Sequence, residues 1–196
     1  YDFYAVDLRK CGRSRRSGQS WHYASDLALY FTDLTAALDA IPNEEVIFIA
    51  HSTGGLIAPL WMDHLRRTDQ ERHQRLAGLI LNSPWLDMMG VPGQVLTPLK
   101  PLLYTLGRIA PMTPLPGGNL TAYGESVHKD FYGEWDFDLR FKPLAGHKKY
   151  VGWIAAVFHG FDAIHSGRVD AGVPILTLQS TRTQLGQPYS DSVNHA

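Results

Sequence analysis

Ser52 is the residue of this 196-residue chain whose neighbours best suit covalent chemistry, lying in Ala50-His51-Ser52-Thr53-Gly54-Gly55. A serine hydroxyl is a weak nucleophile at neutral pH, so it needs an exposed position, a nearby base and donors for a developing oxyanion. A tight turn between a buried strand and a helix supplies the exposure. The same turn crowds the residues two before and two after the serine, which must be small, the pattern written G-x-S-x-G. Ala50 and Gly54 hold those places, a methyl group being the smallest departure from glycine, and Gly55 eases the approach of helix to sheet. The helix start adds N–H groups and partial positive charge. The Thr53 N–H, from the residue after the nucleophile, is the expected first oxyanion donor. His51 is expected to line or support the pocket, its side chain diverging from Ser52. The competing reading makes Ser52 a helix N-cap in a non-catalytic βα turn.

Other chemically capable residues fit a plainer role. No pair of the nine histidines shows the H-E-x-x-H spacing of a helix-borne zinc site, and no metal or cofactor is expected. His64 and His73 read as exposed helix or loop residues; His128, His147, His159 and His165 read as surface or substrate-lining residues. Asp136 and Asp138 mimic a carboxylate pair but fit a solvated loop. The basic run Arg9, Lys10, Arg13, Arg15 and Arg16 has two readings, an attraction for an anionic head group and a solvated loop, of which the loop is preferred. Cys11, the only cysteine, excludes an internal disulfide framework and a Cys-based zinc site, and fits a reducing, cytoplasmic compartment.

The elements that must hold Ser52 are legible around it. Glu45 to Ala50 is a nearly continuous apolar run, as in a parallel strand covered on both faces. A helix over about Leu56 to Arg67 follows the glycines. Leu27, Tyr30, Phe31, Leu34, Leu38 and Ile41 recur at helical spacing between a cap at Ser25 or Asp26 and Pro42. Tyr1 to Asp7, Leu79 to Leu81 and Pro174 to Leu178 read as further buried strands. The alternation predicts an α/β fold with a largely parallel sheet flanked by helices. Between Trp85 and about Arg168 prolines cluster and aromatic residues are dense, over a length no ordinary crossover requires. That segment predicts an inserted cap of short helices; a surface insertion without catalytic role is the alternative. Hydrophobic residues make up 44% and the net charge is -1, so no basic field attracts nucleic acid, and no apolar run reaches the roughly 20 residues of a membrane span.

Asp7-Leu8-Arg9-Lys10-Cys11-Gly12-Arg13-Ser14 resembles the D-x-R-G-x-G-x-S loop of α/β-hydrolases, with Lys10 where glycine is usual. With Ala50 to Gly55 and Leu79-Ile80-Leu81-Asn82-Ser83-Pro84, the chain resembles the lysophospholipase and monoacylglycerol-lipase-like branch, also grouped with serine aminopeptidase-type hydrolases. The resemblance implies the α/β-hydrolase fold, with residues 1–84 and 169–196 as a partial core and 85–168 as a cap or lid. It implies an internal fragment, with the first strands, a second oxyanion donor and the catalytic histidine outside the sequence. The catalytic acid of relatives follows the Pro174 to Leu178 strand; Asp191 is the only carboxylate there, and an aspartate beyond Ala196 is the alternative. His195 follows that region too closely for the usual order of serine, acid and histidine.

The expected activity is hydrolysis of a carboxylic ester through an acyl-enzyme, on a small acyl-lipid such as a monoacylglycerol or lysophospholipid. The alternatives are an amide or peptide hydrolase of the serine aminopeptidase type and a non-catalytic binding protein of the same fold.

Overall fold

The computed structural model describes residues 2–88, 90–116 and 120–181. They fall into two compact units: the described residues of 2–6, 24–112 and 151–179 make one, and those of 7–23, 113–150 and 180–181 the other.

The first unit is built on a parallel sheet of three strands in the order β1 (Val46–His51), β2 (Leu76–Asn82), β3 (Ile175–Leu178). Helix α1 (Leu29–Ala40) precedes β1. Its start is fixed by Asp26, whose carboxylate accepts the Ala28 N–H at 2.8 Å, and its inner face buries Tyr30, Leu34 and Leu38. Helix α2 (Thr53–Thr68) connects β1 to the short α3 (Gln70–Gln74), which leads into β2. Trp61 and Met62 of α2 are fully buried, and the Trp61 indole N–H reaches Thr35 Oγ1 at 3.0 Å, tying α2 to α1.

Helix α4 (Gly93–Ile109) is longer than the short helices expected of this region and contains Pro98 and Pro101. Each proline removes one N–H and leaves the carbonyl four residues earlier without its helical donor. No residue of α4 is buried, so water can serve those carbonyls, and the helix continues. Helix α6 (Val151–His165) is buried along most of its length by Val157, Phe158 and Phe161 among others. It meets α4 where Gly107 faces Ala155: a Cβ on Gly107 would stand 2.7 Å from the Ala155 Cβ. Asp162 of α6 accepts hydrogen bonds from Lys100 and Tyr104 of α4. Burial acts to raise the Asp162 pKa, but those two bonds outweigh it and hold the carboxyl below its usual range.

Two strand expectations need correction. Residues 2–7 form no strand and are exposed, because no described strand lies beside them to complete a ladder; Tyr4 and Asp2 instead hydrogen-bond the Asn43 side chain at 3.1 Å. The outer strands are not covered on both faces either. In β1, Phe48 packs against Trp61 at 5.4 Å while Ile47 and Ile49 remain 59% and 58% exposed, and every residue of β3 is exposed. Their apolar content suits a sheet interior, but among the described residues only β2 has a strand on each side.

In the second unit α5 (Thr121–Val127) is followed by a loop wound about His128, which is 3% exposed. Asp130 N–H donates to its Nδ1 at 3.2 Å, so Nε2 carries the proton and donates to Phe137 O at 3.2 Å. Among the described residues, no helix is long and apolar enough to cross a membrane.

Candidate active site

Ser52 sits at the junction of β1 and α2 with φ 52° and ψ −119°, a conformation that L-residues with a Cβ rarely adopt. The chain reverses there because both sides are pinned. Ser52 N–H donates to Asn82 O at 3.2 Å, and Ser52 O accepts from Gly55 N–H at 2.9 Å and Trp85 N–H at 3.0 Å. The reversal brings the start of α2 against the residues after β2. A Cβ on Gly55 would lie 2.6 Å from Pro84 Cβ and 2.8 Å from Pro84 Cα, whereas a Cβ on Gly54 would meet Ala50 Cβ at an ordinary 3.8 Å. The two small residues flanking Ser52 thus face one another, and Gly55 takes the tighter contact.

The Ser52 side chain makes no capping hydrogen bond to the helix, so its hydroxyl is not used as an ordinary N-cap. Ser52 is half-buried. Thr53 is the first residue of α2, and its N–H is among those with no carbonyl one turn earlier to accept it. His51 Nδ1 lies 2.9 Å from Asn82 O. A carbonyl only accepts, so the proton is on Nδ1, and the ring is tied to the end of β2. Among the described residues no histidine or carboxylate hydrogen-bonds Ser52 Oγ.

Five further described histidines have contacts of their own. His73 Nε2 lies 2.7 Å from Ala171 O, His147 Nε2 lies 2.8 Å from Phe141 O, and His159 stacks on Tyr104 at 4.0 Å. His64 and His165 lie beside Phe31 and Phe161. Asp136 pairs with Lys129 at 2.6 Å and Asp138 with Arg140 at 2.6 Å, so the two carboxylates do not form a catalytic pair. No group of three or more His, Cys, Asp or Glu among the described residues is placed to hold a metal ion. Asp191 and His195 lie outside the described residues.

The Asp7 to Ser14 loop explains its own residue pattern. The Asp7 carboxylate accepts the Arg13 N–H at 2.9 Å across a 3-10 turn, Gly12–Ser14. Gly12 has φ 45°, which favours glycine, and a Cβ there would stand 2.4 Å from that carboxylate and push it from the Arg13 N–H. Lys10 has φ 63°, which accounts for the glycine usual at that place, and its ammonium lies 5.1 Å from the centre of the Tyr23 ring.

Two residues around Ser52 escaped the sequence reading. Asn82 supplies the carbonyl shared by Ser52 N–H and the His51 ring. Trp85, between Trp153 and Phe161, joins its backbone N–H to Ser52 O, while its buried indole Nε1 has no partner among the described residues. Their signal is positional: both lie where β2 ends, beside the end of β1.

No curated protein matches the chain. A solved structure, the monoacylglycerol lipase of Paleococcus ferrophilus, matches with a TM-score of 0.54 and 19% sequence identity, over 79% of this chain and 54% of the lipase chain. The chain therefore spans about half the length of that lipase, and at this identity the likeness concerns the fold. The family model described as serine aminopeptidase, S33, matches residues 1–192. With its parallel sheet, flanking helices and sharp turn after β1, the chain belongs to the serine aminopeptidase S33 family and has the α/β-hydrolase fold.

Proposed function

We propose that the protein is a serine hydrolase that cleaves carboxylic esters of acyl-lipid type, with Ser52 as nucleophile. The observation that carries this reading is the Ser52 backbone, φ 52° and ψ −119°, between a parallel strand and a helix N-terminus, with the hydroxyl unused as a cap. In the first step Ser52 Oγ bonds to the ester carbonyl carbon while its proton passes to a histidine base. The tetrahedral oxyanion is held by the Thr53 N–H and a second donor. The alcohol then leaves with that proton, and water releases the acid by the reverse sequence. No described residue supplies the base to Ser52, and the acid is proposed as Asp191 or an aspartate outside the sequence.

The lipid class rests on the name of the structural neighbour and on α4, whose Leu99, Leu102, Leu106 and Ile109 are exposed apolar groups. Residues 85–168, which contain α4, are proposed as the cap. The family name favours amides or peptides as a second reading. Against it, Asp136, Asp138 and Asp162 already pair with Lys129, Arg140 and Lys100, leaving them ill placed to hold a substrate ammonium.

The test is fluorophosphonate labelling of the full-length protein beside its Ser52→Ala variant, followed by assays with short- and long-chain esters and an amino-acid amide. Labelling of the native protein alone is the expected outcome. Equal labelling of both would remove Ser52 from the mechanism.

A further inference from the structure

Within the second unit, Gly12, Arg13, Arg15, Trp21, Arg140 and Phe141 line a cavity of about 410 Å³. That volume is in the range of small-molecule sites rather than of a lone ion. Three arginines from two distant stretches of sequence line it, Arg140 with its side chain 85% exposed, and Arg15 and Arg140 each hold hydrogen bonds within the fold. Arg15 donates from Nε to Gln19 O at 2.9 Å and lies 4.6 Å from the centre of the Trp21 ring, which leaves both of its Nη groups unclaimed among the described residues. Arg140 uses Nε and Nη2 on Asp138 and keeps Nη1. The Arg13 side chain has no hydrogen-bonding partner among the described residues, although its backbone N–H is taken by Asp7.

The charges do not cancel. Asp138 is the carboxylate paired with Arg140, whose hydrogen bonds hold it below its usual range, with Arg13 a smaller contributor. Asp7 is occupied by the 3-10 turn, so the cationic side chains outnumber the acidic ones and their free N–H groups lack an acceptor. Guanidinium forks match the oxygens of phosphate, and beside them lie Phe141 and the edge of Trp21, 6.3 Å apart, the Trp21 ring itself being stacked by His147 at 4.6 Å and overlain by Arg15.

The geometry points to a binding site for an organic phosphate monoester within the second unit, a function beyond the ester hydrolysis proposed for Ser52. The phosphate sits among Arg13, Arg15 and Arg140, and the carbon body lies along Phe141 and the edge of Trp21. A free metabolite and a lipid head group present the same phosphate chemistry.

Calorimetric titration of the protein with glycerol 3-phosphate, in a buffer free of phosphate, tests the site, and sedimentation with phosphatidate or phosphatidylcholine vesicles identifies the source. Binding of glycerol 3-phosphate without vesicle retention assigns a free phosphate ester. Retention by phosphatidate but not phosphatidylcholine assigns a lipid. In either case Arg13→Gln, which disturbs no hydrogen bond of the fold, should weaken binding about tenfold, and Arg13→Gln with Arg15→Gln further. Arg16→Gln, outside the cavity, should bind as the native chain, as should Ser52→Ala. Absence of binding in both arms, or binding unchanged by Arg13→Gln in a variant with native circular dichroism, overturns the assignment.

Discussion

Replacing Gly55 by alanine adds one methyl group to the turn that presents Ser52, and the structure determines the sign of the effect. The new Cβ would stand 2.6 Å from Pro84 Cβ and 2.8 Å from Pro84 Cα, about 1 Å inside the separation at which carbon atoms attract. Pro84 cannot readily retreat, because hydrogen bonds hold the residues on both sides of it: Ser83 N–H to Leu178 O at 2.7 Å and Trp85 N–H to Ser52 O at 3.0 Å. Alanine is the better helix former by about 1 kcal/mol, so propensity alone predicts a more stable protein. Overpacking costs about 1–3 kcal/mol, and releasing a backbone hydrogen bond about 1 kcal/mol more. The balance is a net loss of about 1–3 kcal/mol in unfolding free energy, read from urea denaturation. Gly54→Ala is the matched control. Its Cβ would meet only Ala50 Cβ at 3.8 Å, so the variant should keep or gain stability. Since Ser52 O accepts the Trp85 N–H, Gly55→Ala should also slow fluorophosphonate labelling of the full-length protein. A Gly55→Ala protein as stable as Gly54→Ala would refute the packing argument at this turn.

Gly12→Ala must accept both φ 45° and a carboxylate 2.4 Å from its Cβ; it should lose about 2 kcal/mol, with faster proteolysis of the Asp7 to Ser14 loop as the second readout. Gly107→Ala should cost about 1–2 kcal/mol by wedging α4 from α6, and Ala155→Gly in the same chain should recover part of that loss, a coupling that a double-mutant cycle in urea measures directly. Burial first, then His147 and Lys149, bring the His22 pKa from 6.5 down to about 4. The unfolded chain takes up this proton near pH 6.5, so the stabilisation is complete above that pH and is lost as pH falls from 6.5 to 4. Because part of the His22 surface is open to water, screening limits the loss to about 1 kcal/mol. His22→Asn tolerates the φ of 56° and should flatten the stability-pH curve across that window; an unchanged slope would exclude His22 as its source.

Strands β1, β2 and β3 and helices α1 and α2 were legible because each carries its signal locally. Val46 to Ala50 is apolar enough to need a sheet, and the α1 spacing that places Tyr30, Leu34 and Leu38 inward is written in order along the chain. Helix α4 was less legible for the opposite reason. Pro98 and Pro101 belong to the proline cluster from which only short helices are expected, yet a helix whose carbonyls face water can lose two N–H donors and continue. Tyr1 to Asp7 has strand composition without a described neighbour to pair with, and composition cannot supply one.

The same division between local and distant information runs through the candidate site. Small residues around Ser52 announce a cramped turn, and the turn is found, but what holds it comes from elsewhere in the chain. Asn82 O, Pro84 and the Trp85 N–H all belong to the end of β2, thirty or more positions away, and reach Ser52 only because β1 and β2 lie in parallel register with His51 opposite Asn82. A one-residue slip in that register would carry the Asn82 carbonyl away from both the Ser52 N–H and the His51 ring. The backbone strain at Ser52 is thus sustained by the pairing of two strands, so perturbations at the β2 end should move the fluorophosphonate labelling proposed for Ser52 as surely as changes beside it.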